Sequence, residues 1–272
     1  MRNLNVLFLI TVVTVMQVCA AARASDLYGI TESSVPGLYQ INQTSGAATL
    51  VSTTTIGPKD LASDTRPGSF RMWAVNGSNQ LYTVNPTTGS ATIVGSMGVG
   101  GGYMESLAFD ATTNTLFGMS SIQRLYSINQ TMGAATLIGD AHGFSPFLAL
   151  ACDNNGTLYG VKNDGLGPRL VEINRNTGAV AVERQLDLYP ADIAFRPEDN
   201  VMFGIVNGAQ AVGAHGIYTI NPTTGAMTLV GPLGATVPRM PGLAFGPVPE
   251  PSSLSSFALV AAAFIRAQAR RA

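Results

Sequence analysis

Charged side chains are scarce in this chain: 11% of its 272 residues are Asp, Glu, Lys or Arg, less than half the usual share. A chain so poor in charge is neither a solvated disordered polymer nor a basic nucleic-acid binder. Residues 25–247 carry 10 basic against 15 acidic side chains, a net of −5, which further disfavours nucleic acid and anionic lipid as partners. With Cys19 and Cys152 as the only cysteines, a disulfide-rich scaffold is excluded. Two histidines, His142 and His215, and a single tryptophan complete the scarcities. Glycine and proline, by contrast, number 30 and 15. That density of turn formers excludes long helices and suits short strands joined by tight bends.

The two ends differ from the middle. Residues 1–24 open with Arg2, continue through an apolar run from Val6 to Val18 and end in Ala22-Arg23-Ala24. A basic start, a short hydrophobic stretch and a small-x-small ending are the layout of a secretory signal peptide, so a signal peptidase is expected to cut between Ala24 and Ser25. Cys19 would leave with that leader. Cys152 would then be the mature chain's lone cysteine, and the fold would rest on its core alone.

Residues 25–247 repeat one pattern five times. Leu38-Tyr39-Gln40-Ile41-Asn42 recurs as Leu81-Tyr82-Thr83-Val84-Asn85, Leu125-Tyr126-Ser127-Ile128-Asn129, Leu170-Val171-Glu172-Ile173-Asn174 and Ile217-Tyr218-Thr219-Ile220-Asn221. Each copy passes through a polar turn ending in glycine and continues into a second apolar segment such as Ala91-Thr92-Ile93-Val94, which reads as a hairpin. Upstream lies an apolar-aromatic-small strand, as in Leu116-Phe117-Gly118, and before four of these a shorter one: Leu61-Ala62-Ser63, Leu107-Ala108-Phe109, Leu150-Ala151-Cys152 and Ile193-Ala194-Phe195. The first copy lacks that opening strand, yet Leu243-Ala244-Phe245 stands alone after the fifth copy. Pairing it with the strand at Leu27 makes the fold all-β: a five-bladed β-propeller closed by its N- and C-terminal strands.

The repeated Leu-Tyr-x-Ile-Asn-x-x-Thr-Gly-Ala-x-Thr-Leu-Val-Gly unit resembles those of secreted bacterial β-propellers, in the broad company of NHL-like and YVTN-like repeats. Residues 248–272 carry a second resemblance. Pro249-Glu250-Pro251, an apolar stretch from Leu254 to Ile265, and Arg266, Arg270 and Arg271 are together similar to the PEP-CTERM sorting signal. That resemblance implies an exosortase as processing partner and a sorting helix in transient contact with the inner membrane, its arginines on the cytoplasmic side. It also implies export to the periplasm, cell surface or matrix of a Gram-negative bacterium that makes exopolysaccharide.

Chemistry is harder to find than architecture. Propellers bind ligands on the face built from the connections between blades and the loop after each blade's second strand. That face is expected to receive Asp60, Tyr103, Glu105, His142, Asp164, Tyr189 and His215 as ligand-binding candidates, together with Lys59, Asp64, Asp140, Lys162, Asp187 and Arg239. The two histidines lack ligand-type spacing, so neither a metal site nor a cofactor is expected. Glycoside hydrolysis needs two carboxylates across a cleft, for which Asp60, Glu105, Asp140, Asp187 and Asp192 are the available sources. Cys152 takes the place of Phe109, Phe195 and Phe245 in its sister strands, which makes it a core thiol. The leading expectation is therefore a non-catalytic binding or scaffold module for polysaccharide or surface protein. A carbohydrate- or lactone-directed hydrolase and a purely structural coat component are the alternatives.

Overall fold

The structure, a computed structural model, describes residues 24–140, 147–163, 165–208 and 215–248. His142, Asp164, the Pro249-Glu250-Pro251 motif and all of the leader but Ala24 lie outside the described residues. Twenty strands form five four-stranded antiparallel sheets, and no helix occurs among the described residues.

Blade I contains β1 (Leu27–Ile30), β2 (Gly37–Ile41) and β3 (Ala48–Thr53). Blade II runs β4 (Pro58–Asp64), β5 (Arg71–Asn76), β6 (Gln80–Val84), β7 (Ala91–Ser96), and blade III β8 (Met104–Asp110), β9 (Thr115–Ser120), β10 (Arg124–Ile128), β11 (Ala135–Asp140). Blade IV comprises β12 (Phe147–Cys152), β13 (Leu158–Asn163), β14 (Pro168–Ile173) and β15 (Val180–Gln185). Blade V comprises β16 (Pro190–Phe195), β17 (Met202–Val206), β18 (Gly216–Ile220) and β19 (Met227–Pro232). The last strand, β20 (Gly242–Phe245), pairs antiparallel with β1, Leu27 opposite Phe245 and Ile30 opposite Gly242. The orphan triplet thus completes blade I, and the sheets form a five-bladed propeller whose innermost strands are β20, β4, β8, β12 and β16.

Composition follows distance from the axis. Strands β1, β17 and β20 are buried at every position, because both faces of an inner strand pack against neighbouring blades and a continuous apolar run results. The outermost strands β3, β7 and β11 keep only half-buried and exposed residues. Between blades the recurrent aromatics meet: Trp73 packs on Phe109 with ring centroids 5.3 Å apart, Tyr159 on Phe195 at 5.4 Å and Phe203 on Phe245 at 5.7 Å. Each such pair contributes about 0.5–1.5 kcal/mol beyond the area it buries. In the other two inner strands the equivalent residue is Cys152 or Ser63, and the Ser63 hydroxyl donates to the Phe245 carbonyl at 2.7 Å.

The repeated asparagine ends its strand by capping the turn. Asn221 Oδ1 accepts from the Thr223 and Thr224 amides at 2.9 and 3.1 Å, and the Gly225 amide donates to the Asn221 carbonyl at 2.8 Å. The same cap forms at Asn42, Asn85 and Asn129. Gly225 has φ 80°, and a Cβ on it would lie 2.1 Å from the Gln185 carbonyl oxygen of blade IV. The turn therefore needs glycine twice, for its dihedral and for its contact with the neighbouring blade.

Candidate functional site at the axial mouth

One residue per inner strand precedes the apolar triplet: Asp60, Ser106, Ala149, Asp192 and Gly242. In the first four strands the pairing register slips just before this residue, at Lys59, Glu105, Leu148 and Ala191. A bulge of this kind re-aims the side chain that follows it. Asp60 and Asp192 are fully buried. Asp60 accepts from the Leu61 amide at 2.7 Å and from the Leu107 amide of blade III at 2.6 Å. Asp192 accepts from the Ile193 amide at 2.8 Å and from the Leu243 amide of the closing strand at 2.5 Å. Each carboxyl group thus ties its own blade to the next.

The two carboxyl groups also hydrogen-bond to each other. Burial pushes Asp60 up to about 8 against the pull of its hydrogen bonds. Burial, with the neighbouring Asp60 charge, holds Asp192 well above the carboxylate range. Two carboxyls in contact cannot both ionise in a buried site, so one proton is shared between them. Gly242, between them in the ring of inner strands, allows the approach: a Cβ there would sit 2.7 Å from the Leu61 nitrogen. The Ser106 hydroxyl, fully buried, has no hydrogen-bond partner among the described residues.

At the same end of the ring opens a cavity of about 90 Å³, lined by Glu32, Lys59, Glu105, Ala191, Asn207, Arg239 and Pro241. Lys59 Nζ pairs with Glu32 Oε1 at 3.1 Å and lies 5.8 Å from the Tyr103 ring centroid. Burial opposes the Lys59 charge, but Glu32 and Glu105 outweigh it and raise its pKa. Burial lifts the Glu105 carboxyl even though the Tyr103 hydroxyl and Lys59 favour its ionised form. The Glu105 charge in turn raises the Tyr103 phenol. Asn207 fixes the edge of the cavity, exchanging two 3.0 Å bonds with the backbone of Met240.

No family model and no curated protein matches the sequence. Solved structures do align with it. A chain of the nidogen/laminin complex superposes with a TM-score of 0.56 at 13% identity, over 82% of this chain and 98% of that one. A protein of unknown function from Bacteroides caccae gives 0.52 at 9% identity, over 82% and 99%. The likeness is one of fold. At such identities the side chains of the mouth are this chain's own, and the geometry around the axis has to speak for the site.

Of the residues expected on the loop face, Tyr103 and Glu105 do meet at the mouth, with Lys59 and Arg239. Tyr189 stands within electrostatic reach of Glu105; burial pushes its phenol up to about 12, against a hydrogen bond with Asn163. His215 lies apart, its Nε2 bonded to the Val237 carbonyl at 3.1 Å. Asp60 is not a loop residue: it falls inside β4, beneath the mouth and out of reach of solvent. Asp64 stands at the other end of β4, where Arg66 holds it at 2.8 Å. Asp140 pairs with Arg124 at 3.0 Å. Among the described residues no group of three or more His, Cys, Asp or Glu is placed to hold a metal ion. Glu32, Asn207 and Ser106 escaped the sequence reading. Ser106 was within reach of it, since the position before each triplet aligns without gaps.

Proposed function

We propose that this chain is an exported, non-catalytic propeller that presents its loop face, centred on the axial mouth, to polysaccharide or protein partners at a bacterial surface or in the surrounding matrix. The observation that carries this reading is the state of the axis. The two carboxyl groups best placed for acid–base work, Asp60 and Asp192, are buried, bonded to each other and committed to four backbone amides. A glycosidase pair instead flanks an open cleft, with room for a sugar between its members. The cavity above them, about 90 Å³, is several-fold smaller than a site that engulfs a small molecule. It suits the end of a chain or a single projecting group, gripped by Tyr103, Glu105, Lys59 and Arg239. The Pro249-Glu250-Pro251 motif and the arginines that follow it support delivery through an exosortase, with the leader removed by a signal peptidase.

The test is binding of the purified protein to a glycan array and to exopolysaccharide from a Gram-negative producer, alongside Glu105→Gln and Tyr103→Phe. Binding weakened about tenfold or more by either substitution, with no fall in melting temperature at the assay pH, supports the reading; this corresponds to about 1.4 kcal/mol, one charge-assisted hydrogen bond. Turnover of a bound glycan that Glu105→Gln abolishes would establish the hydrolase instead.

A further inference from the structure

Ser25 is fully buried, whereas the preceding Ala24 is exposed. The Ser25 amide donates to Glu198 Oε1 at 2.5 Å, and the Ser25 hydroxyl donates to the same oxygen. The Ser25 carbonyl accepts from Gln43 Nε2 at 2.5 Å, and Gln43 Oε1 accepts from Arg196 at 3.0 Å. Arg196 is fixed in turn by two bonds to Asp199, at 2.8 and 2.6 Å, and by its position 5.2 Å from the Phe203 ring centroid. Every polar group of Ser25 is therefore held, by a turn of blade I on one side and by the β16–β17 loop of blade V on the other. Two residues later β1 begins, paired with β20, and the Gly246 amide donates to the Asp26 carbonyl at 2.7 Å.

The equivalent positions in blades III and V are Asn114 and Asn200. There the preceding blade makes contact through a side-chain amide oxygen, Arg66 donating to Asn114 Oδ1 at 2.6 Å and the Asn154 amide to Asn200 Oδ1 at 2.9 Å. Where blade V meets blade I, a carboxylate faces a backbone nitrogen instead. Arg196, bonded directly to Asp199, meets the Glu198 charge only across space, and an amide N–H is a weak direct match for that charge. An ammonium at the same atom would be a full counter-charge, and charge-assisted bonds are roughly twice as strong as neutral ones.

We propose that Glu198 is the receptor for a new chain terminus: hydrolysis of the Ala24–Ser25 peptide bond places the Ser25 α-ammonium on Glu198 and so helps to fasten blade I to blade V. In that step one water is consumed, the amide bond breaks, Ala24 keeps a carboxylate and Ser25 keeps the protonated amine. The exposed Ala24 marks where the chain leaves the buried seam, so cleavage there leaves every Ser25 contact in place. The inference rests on the export reading, but adds to it a residue and a structural role for the cut.

The test uses the full chain exported by a Gram-negative host. Intact-mass and N-terminal analysis first locate the terminus. The α-amine is then acylated near neutral pH, in native and in urea-unfolded protein, for wild type and for Glu198→Gln and Glu198→Asp. The chain has only two lysines, Lys59 and Lys162, so three amines are followed in all, and the α-amine is the most reactive when free. The expected result is a terminus at Ser25 that is modified about tenfold more slowly in the native protein than in the unfolded one. Most of that protection should be lost in Glu198→Gln and retained in Glu198→Asp. A terminus elsewhere would overturn the cut and, with it, the leader expected from the sequence. A terminus at Ser25 that reacts equally fast in native and unfolded wild type, or a Glu198→Gln protein as protected as wild type, would overturn the receptor and leave export standing.

Discussion

Replacing Asp192 by asparagine removes one titratable group from the propeller axis while keeping the shape of the side chain. In the unfolded chain both aspartates ionise near pH 4. In the folded ring burial raises Asp60 to about 8 and Asp192 well above its ordinary range. Between those limits the folded state binds more protons than the unfolded one, so stability is fully present below about pH 4 and is lost as pH rises toward 8. This is opposite to the usual carboxylate behaviour. One extra bound proton corresponds to a slope of about 1.4 kcal/mol per pH unit. From about pH 5.5 to about pH 7.5 the ring should lose up to about 3 kcal/mol, or about 6–12 °C in Tm for a domain of this size. Asp110, Glu183 and Asp199 are held below the usual range by hydroxyl or cationic partners; their contribution is lost only as pH falls through the acid range, outside this window. In Asp192→Asn the amide can donate to Asp60 and its oxygen can still accept from Leu243 or Ile193. Thermal melts across the window should then show less than half of the wild-type slope, with Glu105→Gln, which removes another raised carboxyl, taking away a smaller part. A wild-type Tm that holds or climbs from pH 5.5 to 7.5, or an Asp192→Asn protein with the wild-type slope, would refute the shared proton.

Gly225→Ala puts a Cβ on a residue at φ 80° and 2.1 Å from the Gln185 carbonyl. The dihedral and the overlap together should cost about 2–5 kcal/mol, read as a lower urea midpoint with an unchanged m-value. Burial, followed by the charges of Asp110 and Asp153, raises the Cys152 thiol far above its ordinary range. Alkylation of Cys152 near pH 8 should therefore run about a hundredfold slower in the native than in the unfolded chain. Cys152→Ala should leave loop-face binding unchanged, and rapid native modification would contradict the assignment of Cys152 as a core thiol.

The fold was legible because each layer of a blade repeats its own chemistry. The capping asparagine and closing glycine marked every outer hairpin, the apolar-aromatic-small pattern marked every second strand, and the displaced Leu243-Ala244-Phe245 announced the closure. The mouth was legible only in part. Read from Leu61-Ala62-Ser63 alone, the first strand of blade II ends before its flanking charges, because Asp and Lys are poor strand formers. β4 in fact runs from Pro58 to Asp64. That extension moves Asp60 from a loop to the axis and carries Asp64 to the opposite end of the ring. The bulge at Lys59, which separates an upward-facing lysine from an axial aspartate, leaves no mark in hydropathy. Glu32 aligns without gaps with Gly77, Ser121, Asn163 and Asn207, but an acid, a glycine, a serine and two asparagines at one position carry no shared chemistry for a sequence to show.

The axis is where five-fold repetition has to fail. An outer-strand residue meets no copy of itself, so a branched aliphatic side chain serves in all five blades, as Leu50, Ile93, Leu137, Val182 and Leu229 do. A residue facing the axis meets its own copies. Five aspartates there would be buried charges without counter-charge, and five leucines would exceed the space that a Gly242 hydrogen leaves. The sequence meets this constraint with two acids, a serine, an alanine and a glycine, arranged so that one acid holds the amide of the next blade and the other holds the amide of the closing strand. Because Asp192 binds Leu243 rather than a residue of the contiguous middle, repulsion between two ionised carboxylates, once the shared proton is lost, would be felt at the seam where the chain's two ends meet, although the Leu243 bond by itself favours the ionised form. Loss of that proton should therefore loosen the β20–β1 pairing before it disturbs the four blades built from continuous chain, and hydrogen exchange of the Leu243 and Ala244 amides above and below pH 7 would reveal that order.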